Sequence, residues 1–385
     1  MPSFEFATAN RIIFGKGKLR EIGAIAAPFG TRALLVVGGM MFRAAPLISQ
    51  LSASGVEVFT YMVEGEPKIS TAEEGARRAR DLHCDLVIGF GGGSAIDCGK
   101  AVAAFATNHE NPLHYLEVVG AGQPLIEAPL PYIAIPTTAG TGAEVTRNAV
   151  LASPEHQVKV SLRHPLMLPI VALIDPELTY SLPPEITAST GLDALTQVIE
   201  PLVCAAPNPI TDALCREGIR RASGALKRAF HNGLDAEARE EMAVVSLCGG
   251  LALANARLGA VHGFAAPIGG MYSAPHGAVC AALLPHVMEV NIQALRKRDP
   301  QGEALRRYEE IARLVTHIAR PTPEDGVMWI RDLCSGLRTP PLATYGVQRS
   351  DFPTLIERAI NASSMKGNPI TLTPSELKEI LDRAL

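Results

Sequence analysis

The feature that most constrains the fold is a change in the hydrophobic pattern near residue 180. Before it, short apolar runs end at glycine or proline and alternate with helical stretches. The apolar runs span residues 33–37, 55–59, 86–90, 132–135 and 171–174, and helical stretches span residues 71–83 and 95–107. Strands that alternate with helices predict a parallel sheet covered on both faces.

Beyond Asp175-Pro176 the strand signals fade and long helical stretches follow. These stretches span residues 184–203, 209–229, 236–256 and 302–318. The sequence therefore predicts an α/β N-terminal domain with a parallel sheet over residues 1–180. An all-α C-terminal domain is expected over residues 181–385.

Composition excludes several classes of protein. The 385 residues are 47% hydrophobic and 19% charged, as in a soluble globular protein. The pI of about 6.2 argues against a nucleic-acid partner. No apolar run approaches the roughly 18 residues needed to span a membrane, and the N-terminus lacks the features of a signal peptide. Seven scattered cysteines without CxxC spacing indicate reduced thiols in the cytoplasm.

Two loops follow neighbouring strands and suit a nucleotide. Gly91-Gly92-Gly93-Ser94 joins a strand to a helix, where free N–H groups attract phosphate. Taken alone, this segment is equally well explained as an ordinary tight turn. The stretch from Pro136 to Thr146 adds four threonines and two glycines after the next strand. Ligands bind beyond the carboxyl ends of parallel strands, so the two loops together favour a nucleotide site.

A carboxylate and two imidazoles could hold a metal in the helical half. Asp193 and Gln197 are four residues apart and project from one helix face. His262 and His276 come from later segments, and such a set can hold a divalent cation. A single histidine is more often a hydrogen-bonded structural residue. The residues by themselves therefore leave this metal site open.

The motifs taken together resemble the iron-containing, group III, alcohol dehydrogenases over essentially the whole chain. The matching segments are Gly91 to Ser94 with Asp97 and Lys100, Pro136 to Thr146, Ile174 to Leu178, Gly191 to Leu195, Pro275 to Gly277 and Leu284 to His286. Several long motifs in the family's order make the resemblance specific. It implies a dehydroquinate synthase-like architecture, with a dinucleotide-binding domain followed by a helical metal and substrate domain.

The resemblance also implies site residues. Gly92, Gly93 and Ser94 would hold the pyrophosphate, and Thr137 and Thr138 would line the cofactor near its phosphates and nicotinamide. The further cofactor positions are Asp97, Asn148, Lys159 and Leu178. The four metal-ligand positions are Asp193, Gln197, His262 and His276. No catalytic acid or base is assigned.

Three positions depart from the family pattern. Gln197 replaces the usual second-ligand histidine, and its harder amide oxygen would favour Fe²⁺ or Mn²⁺ and weaken binding, with Zn²⁺ or an empty site still open. Ala266 stands where relatives often carry a proton-relay histidine. The proton relay would then be water, the ribose hydroxyls or another residue, and His286 and His164 are candidates by residue type only. Gly38 replaces an aspartate that favours NAD, so NADP stays open, although Glu66 could repel its extra phosphate.

The expected function is hydride transfer between NAD or NADP and a small alcohol, aldehyde or ketone. A divalent metal would polarise the substrate oxygen. The alternatives are a metal-independent, maleylacetate-reductase-like enzyme, a non-redox lyase resembling dehydroquinate synthase, and a nucleotide-binding protein with little catalysis. A basic cluster for a substrate phosphate, which the lyase needs, is not apparent beside His262 or His276. The resemblance implies a homodimer.

Overall fold

The computed structural model describes residues 3–385, which fall into two compact units. One unit comprises Thr8–Thr138 and Gly142–Tyr180. The other comprises Ser181–Leu385, together with Ala139–Thr141 and N-terminal residues through Ala7. The helical unit has one large hydrophobic core, and the α/β unit has two.

The α/β unit is built on a six-stranded parallel sheet, which confirms the predicted fold class. Its strands are β1 (Ile12–Phe14), β2 (Arg32–Gly38), β3 (Glu57–Val63), β4 (Leu86–Gly91), β5 (Tyr132–Pro136) and β8 (Val171–Ile174). Their order across the sheet is β1-β8-β5-β4-β2-β3. Leu34 contributes to one core and Leu35 to the other, because successive side chains of a strand point to opposite faces. Both faces are therefore covered, as the continuous apolar strands require.

Helices cover this sheet and a small hairpin adjoins it. The helices are α1 (Ile22–Ala26), α2 (Ala45–Ala53), α3 (Ile69–Asp81) and α4 (Gly93–Thr107). The hairpin pairs β6 (Asn148–Ser153) with β7 (Val158–Arg163) in antiparallel register. The sequence analysis missed this hairpin because its two strands mix polar and apolar residues. It also placed the second strand too early, since Gly55, with φ of +80°, turns the chain before β3 begins.

The second unit is helical, as predicted. It contains α5 (Pro184–Val203), α6 (Pro209–His231), α7 (Ala236–Asn255), α8 (Ala260–Met271), α9 (His276–Arg298), α10 (Glu303–Thr316), α11 (Pro323–Gly336), α12 (Phe352–Asn361) and α13 (Pro374–Ala384). Side-chain oxygens of Asn208 and Asp235 cap α6 and α7. The sequence analysis missed α8 and α9, which contain Pro267 and Pro285 in their interiors. Burial of their apolar faces outweighs the usual effect of proline on a helix.

Helix α9 is long and apolar enough to cross a membrane by length and composition. A second candidate appears only if the bent pair α7 and α8 is counted as one span. In α9, 83% of the apolar window is buried inside the protein, as in the core helix of a soluble protein. Its hydropathy therefore reflects the core of the helical unit.

A buried ammonium group connects α4 with the segments that follow β5. Lys100 Nζ donates to the carbonyl of Ala143 at 2.9 Å and to Thr146 Oγ1 at 2.8 Å, and it also contacts the carbonyl of Asn148. Asp97 Oδ1 lies 3.2 Å from the same nitrogen. Asp97 Oδ2 accepts a hydrogen bond from Val150 N at 3.1 Å. These two side chains of α4 thus hold both the loop after β5 and the edge of the hairpin.

Replacing Lys100 with methionine should destabilise the α/β unit. The variant leaves buried carbonyls without a donor and the Asp97 carboxylate without a counter-charge, which costs about 3–5 kcal/mol. Chemical unfolding followed by circular dichroism measures the loss. Exposed Lys16→Met is the matched control, and equal unfolding midpoints for the two variants would contradict this role of Lys100.

Candidate functional site

The glycine-rich turn and the threonine-containing loop lie side by side in the α/β unit. Gly91, at the end of β4, pairs in register with Pro136, at the end of β5. Thr137 N donates to the carbonyl of Gly91 at 2.8 Å. A Cβ atom built on Gly92 would lie 3.5 Å from the side chain of Thr138. The structure therefore brings the predicted phosphate residues and both threonines to one edge of the sheet.

The N-terminus of α4 suits an anion. Gly91 has φ of +155°, and a Cβ atom there would lie 2.7 Å from Ala95 Cβ, so this position requires glycine. The helix begins at Gly93, has no acidic residue in its first turn and receives no side-chain cap. Its first N–H groups have no carbonyl partner within the helix, and the helix dipole favours negative charge here. Gly93 and Ser94 can therefore receive a phosphate.

The other four proposed cofactor positions already have protein partners. Asp97 and the carbonyl of Asn148 belong to the network around Lys100. Lys159 Nζ forms an ion pair with Glu66 Oε1 at 2.9 Å. The carbonyl of Leu178 accepts a hydrogen bond from Arg43. Their assignment as cofactor contacts stays a prediction.

Gly38 stands where a carboxylate would select NAD, and it lies close to a helix. Strand β2 ends at Gly38, and a Cβ atom there would lie 3.0 Å from Ala95 Cβ of α4. Glycine therefore allows α4 to approach the sheet closely at this point. Glu66, the acidic residue that could repel the extra phosphate of NADP, forms an ion pair with Lys159.

Four side chains in the helical unit converge as a candidate metal centre. They are Asp193 on α5, His262 on α8, and His276 and Cys280 on α9, and their ligand atoms all lie within 4.8 Å of one another. Asp193 Oδ1 is 3.5 Å from His262 Nε2 and 3.7 Å from His276 Nε2. Cys280 Sγ is 3.7 Å from His276 Nε2. Only His276 is partly exposed, with 32% of its side chain accessible, so the cluster is open on one side.

The cluster contains buried polar atoms that lack hydrogen bonds. These atoms are Asp193 Oδ1, His262 Nε2 and Gln197 Oε1. Each such atom costs about 1–3 kcal/mol unless a partner is supplied. Burial alone would raise the pKa of Asp193, but His276 and His262 outweigh it and lower that pKa. An ionised carboxylate beside imidazole nitrogens is a donor set that fits a divalent cation.

Glu200 orients His262 and was missed by the sequence analysis. Its Oε2 lies 2.6 Å from His262 Nδ1, and its Oε1 accepts a hydrogen bond from Val261 N at 2.7 Å. Burial opposes protonation of His262, yet Asp193 and Glu200 outweigh it and raise the pKa to about 9. A cation in the cluster would displace the Nε2 proton, and the Nε2 lone pair would then face it while Nδ1–H donates to Glu200. The only sequence signal was the position of Glu200, seven residues after Asp193 on α5.

Gln197 lies close to α7, whereas Cys280 shares a helix face with His276. Gln197 is buried, and a Cβ atom built on Gly249 of α7 would lie 3.2 Å from its Oε1. Cys280 was absent from the predicted ligand set. It follows His276 by four residues, a spacing that places both side chains on one helix face. That spacing could have indicated Cys280 in advance.

Of the two histidines suggested by type for proton relay, His286 lies away from the cluster on α9, and His164 belongs to the α/β unit. His286 follows His276 by ten residues on α9, which corresponds to about 15 Å along the helix. Burial lowers its pKa to about 4, and its Nδ1 has no hydrogen-bond partner. His164 belongs to the α/β unit, where its Nδ1 accepts a hydrogen bond from Leu166 N. Ala266, one turn after His262 on α8, supplies no proton-carrying group.

Comparisons with known proteins agree over the whole chain. Residues 9–176 match the family model for iron-containing alcohol dehydrogenase, and residues 187–385 match the C-terminal model of the Fe-containing alcohol dehydrogenase family. Alcohol dehydrogenase 4 of Schizosaccharomyces pombe is 36% identical over 396 residues, covering 100% of this chain and 90% of the relative. The 1,3-propanediol dehydrogenase of Citrobacter freundii is 34% identical, covering 99% and 98%. A crystal structure of 1,3-propanediol oxidoreductase has a TM-score of 0.91 and 32% identity, with both chains fully covered.

Replacing Glu200 with glutamine should weaken binding of a divalent cation. If the amide oxygen keeps its bond to Val261 N, the amide NH₂ faces His262 Nδ1 and moves the ring proton to Nε2. Loss of such an orienting partner typically costs about 10–100-fold in metal affinity. Calorimetric titration with Zn²⁺ measures the effect, with exposed Glu185→Gln on the same helix as the control. An unchanged Kd for the Glu200 variant would contradict the orienting role.

Proposed function

The chain belongs to the iron-containing alcohol dehydrogenase family, and we propose that it interconverts a small alcohol and its aldehyde or ketone at the Asp193–His262–His276 cluster. It is an NAD(P)-dependent alcohol dehydrogenase that uses a divalent metal. Our assignment of the site rests on two buried atoms of that cluster, Asp193 Oδ1 and His262 Nε2, which have no hydrogen-bond partner. The metal ligands, the cofactor contacts and the substrate are the proposed parts.

In the proposed mechanism, domain 1–180 binds the dinucleotide. The free N–H groups of Gly93 and Ser94 at the start of α4 hold the pyrophosphate. Gly92 lets the phosphates approach the backbone, and Thr138 lies beside it. Thr137 is buried and fixed by its bond to Gly91, so it sets the path of the second loop. The bound nicotinamide supplies the hydride acceptor or donor.

Domain 181–385 holds the metal and the substrate oxygen. Asp193, His262 and His276 are proposed ligands, and Gln197 occupies the family's remaining ligand position. A divalent metal in this position would act as a Lewis acid toward the substrate oxygen. Glu200 keeps the Nδ1 proton of His262 directed away from the cluster, so Nε2 is available. The partly exposed side of the cluster, at His276, leaves room for a small substrate.

We propose that solvent carries the substrate proton. The chain has alanine at position 266, and His286 lies about 15 Å along α9 from His276. The partial exposure of His276 supports access of water to the cluster.

The comparisons do not favour the alternatives. The similarity to alcohol and propanediol dehydrogenases favours alcohol oxidoreduction over a non-redox lyase. The unpartnered donor atoms of the cluster also argue against a metal-independent reductase. The same atoms make a nucleotide-binding protein without catalysis the weaker proposal.

Reconstituted protein should reduce small aldehydes. Purified chain is stripped of metal, loaded separately with Fe²⁺, Mn²⁺ or Zn²⁺, and assayed by NADH and NADPH absorbance with aldehydes and ketones. Oxidation of 1,3-propanediol and simple primary alcohols gives the reverse reaction. Asp193→Asn should lower kcat/KM by at least about 100-fold, since it removes the one carboxylate proposed as a ligand. Absence of turnover with every metal and both cofactors would contradict the proposal.

We further propose that the enzyme accepts both NAD and NADP, because β2 ends at Gly38 without a carboxylate. Introducing that carboxylate as Gly38→Asp should lower kcat/KM for NADPH about tenfold more than for NADH, a charge repulsion of about 1.4 kcal/mol. Gly38→Ala is the matched control, since it places the same Cβ against Ala95 without charge. Equal changes for both cofactors in the two variants would show that only packing was altered.

We propose a cytoplasmic homodimer. All seven cysteines are buried and none forms a disulfide, which suits a reducing compartment. The dimer rests on resemblance to the family.

A further inference from the structure

The metal centre contains a sulfur donor where the family pattern leads one to expect none. Cys280 Sγ belongs to the group of ligand atoms that lie within 4.8 Å of one another. Its Sγ lies 3.7 Å from His276 Nε2, so the thiol is directed into the cluster. Cys280 is fully buried, and α9 holds it one turn beyond His276. Three side chains that the sequence analysis assigned to the metal thus surround this sulfur.

A lone buried cysteine is usually a small apolar residue, but two further observations point to a ligand here. Asp193 Oδ1 and His262 Nε2 are buried in the same group and have no hydrogen-bond partner. Both atoms belong to residues that fit a cation by chemistry and position. The other six cysteines do not belong to any such group among residues 3–385.

Gln197 is placed less favourably as the fourth donor. A Cβ atom at Gly249 would lie 3.0 Å from Gln197 Cβ and 3.2 Å from its Oε1, so the amide oxygen lies against α7. An amide oxygen is also a weaker donor than a thiolate for borderline and soft metals.

We propose that Cys280 is the fourth protein ligand of the metal, in place of Gln197, and that the centre consequently selects Zn²⁺ over Fe²⁺ and Mn²⁺. The set Asp193, His262, His276 and Cys280 supplies one oxygen, two nitrogens and one sulfur. Thiolate and imidazole donors suit zinc, whereas oxygen-rich sets suit manganese and magnesium. The proposal rests on the proposed metal-dependent function and names the ligand that decides its metal.

Cobalt spectroscopy tests the ligand in the full-length protein. Metal-free protein is titrated with Co²⁺, and binding is followed by elemental analysis and the near-ultraviolet band of sulfur-to-cobalt charge transfer. We expect one Co²⁺ per chain and a sulfur band that disappears in Cys280→Ala. The band should persist in Gln197→Ala and in the control Cys248→Ala, which removes another buried thiol of the helical unit.

X-ray absorption of the zinc-loaded wild-type protein gives a test that needs no variant. We expect one sulfur neighbour at about 2.3 Å from zinc. In competition, the wild type should bind Zn²⁺ more tightly than Fe²⁺ or Mn²⁺. Cys280→Ala should lose more than about 100-fold in Zn²⁺ affinity, beyond the loss typical of an orienting partner.

The outcomes separate the two proposals. Bound Co²⁺ or Zn²⁺ without a sulfur signal overturns the role of Cys280 and leaves the dehydrogenase assignment intact. Loss of metal in Gln197→Ala with retention in Cys280→Ala overturns the role of Cys280 and supports the amide oxygen of Gln197 as the fourth ligand. Failure to bind any metal overturns it together with the proposed metal centre. A sulfur signal without carbonyl reduction supports the ligand and contradicts the proposed reaction.

Discussion

The buried ammonium of Lys100 is the contact on which the α/β unit depends. Its side chain is fully inaccessible, and it donates to carbonyls of the loop after β5 and of β6. The first turns of α4 thereby stay fixed against the loop that carries Thr137 and Thr138. A nucleotide site made of backbone N–H groups needs this rigidity, because the groups cannot adjust independently of the helix.

In the helical unit the corresponding constraint is the bond between Glu200 and His262. One carboxylate oxygen holds Val261 N and the other holds the imidazole, so the start of α8 and the ring are fixed together. The cost of the buried donor atoms nearby is tolerated because a cation can satisfy them. The position of the His262 ring is thus fixed before any ligand binds, which is the usual requirement for a precise metal centre.

The fold was largely accessible from the sequence, and so was part of each site. Continuous apolar runs predicted β2, β4, β5 and β8, since a strand buried on both faces cannot alternate with polar residues. The hairpin β6–β7 was not predicted, because its strands are short and mix polar and apolar residues. Asp193, His262 and His276 were expected to share a site and do. Glu200 and Cys280 were not expected, because Glu200 contacts His262 and Cys280 lies near Asp193 only through the packing of different helices.

The sequence by itself determined the class of the molecule. Hydrophobic periodicity and the order of the glycine, threonine and histidine motifs are visible in the sequence alone, because they depend on spacing along the chain. Which side chains lie beside Asp193 was decided by tertiary structure. Position 197 on α5 and position 280 on α9 are 83 residues apart (280 minus 197). Only the packing of these helices brings the Cys280 thiol into one group with Asp193 and places the amide oxygen of Gln197 near Gly249.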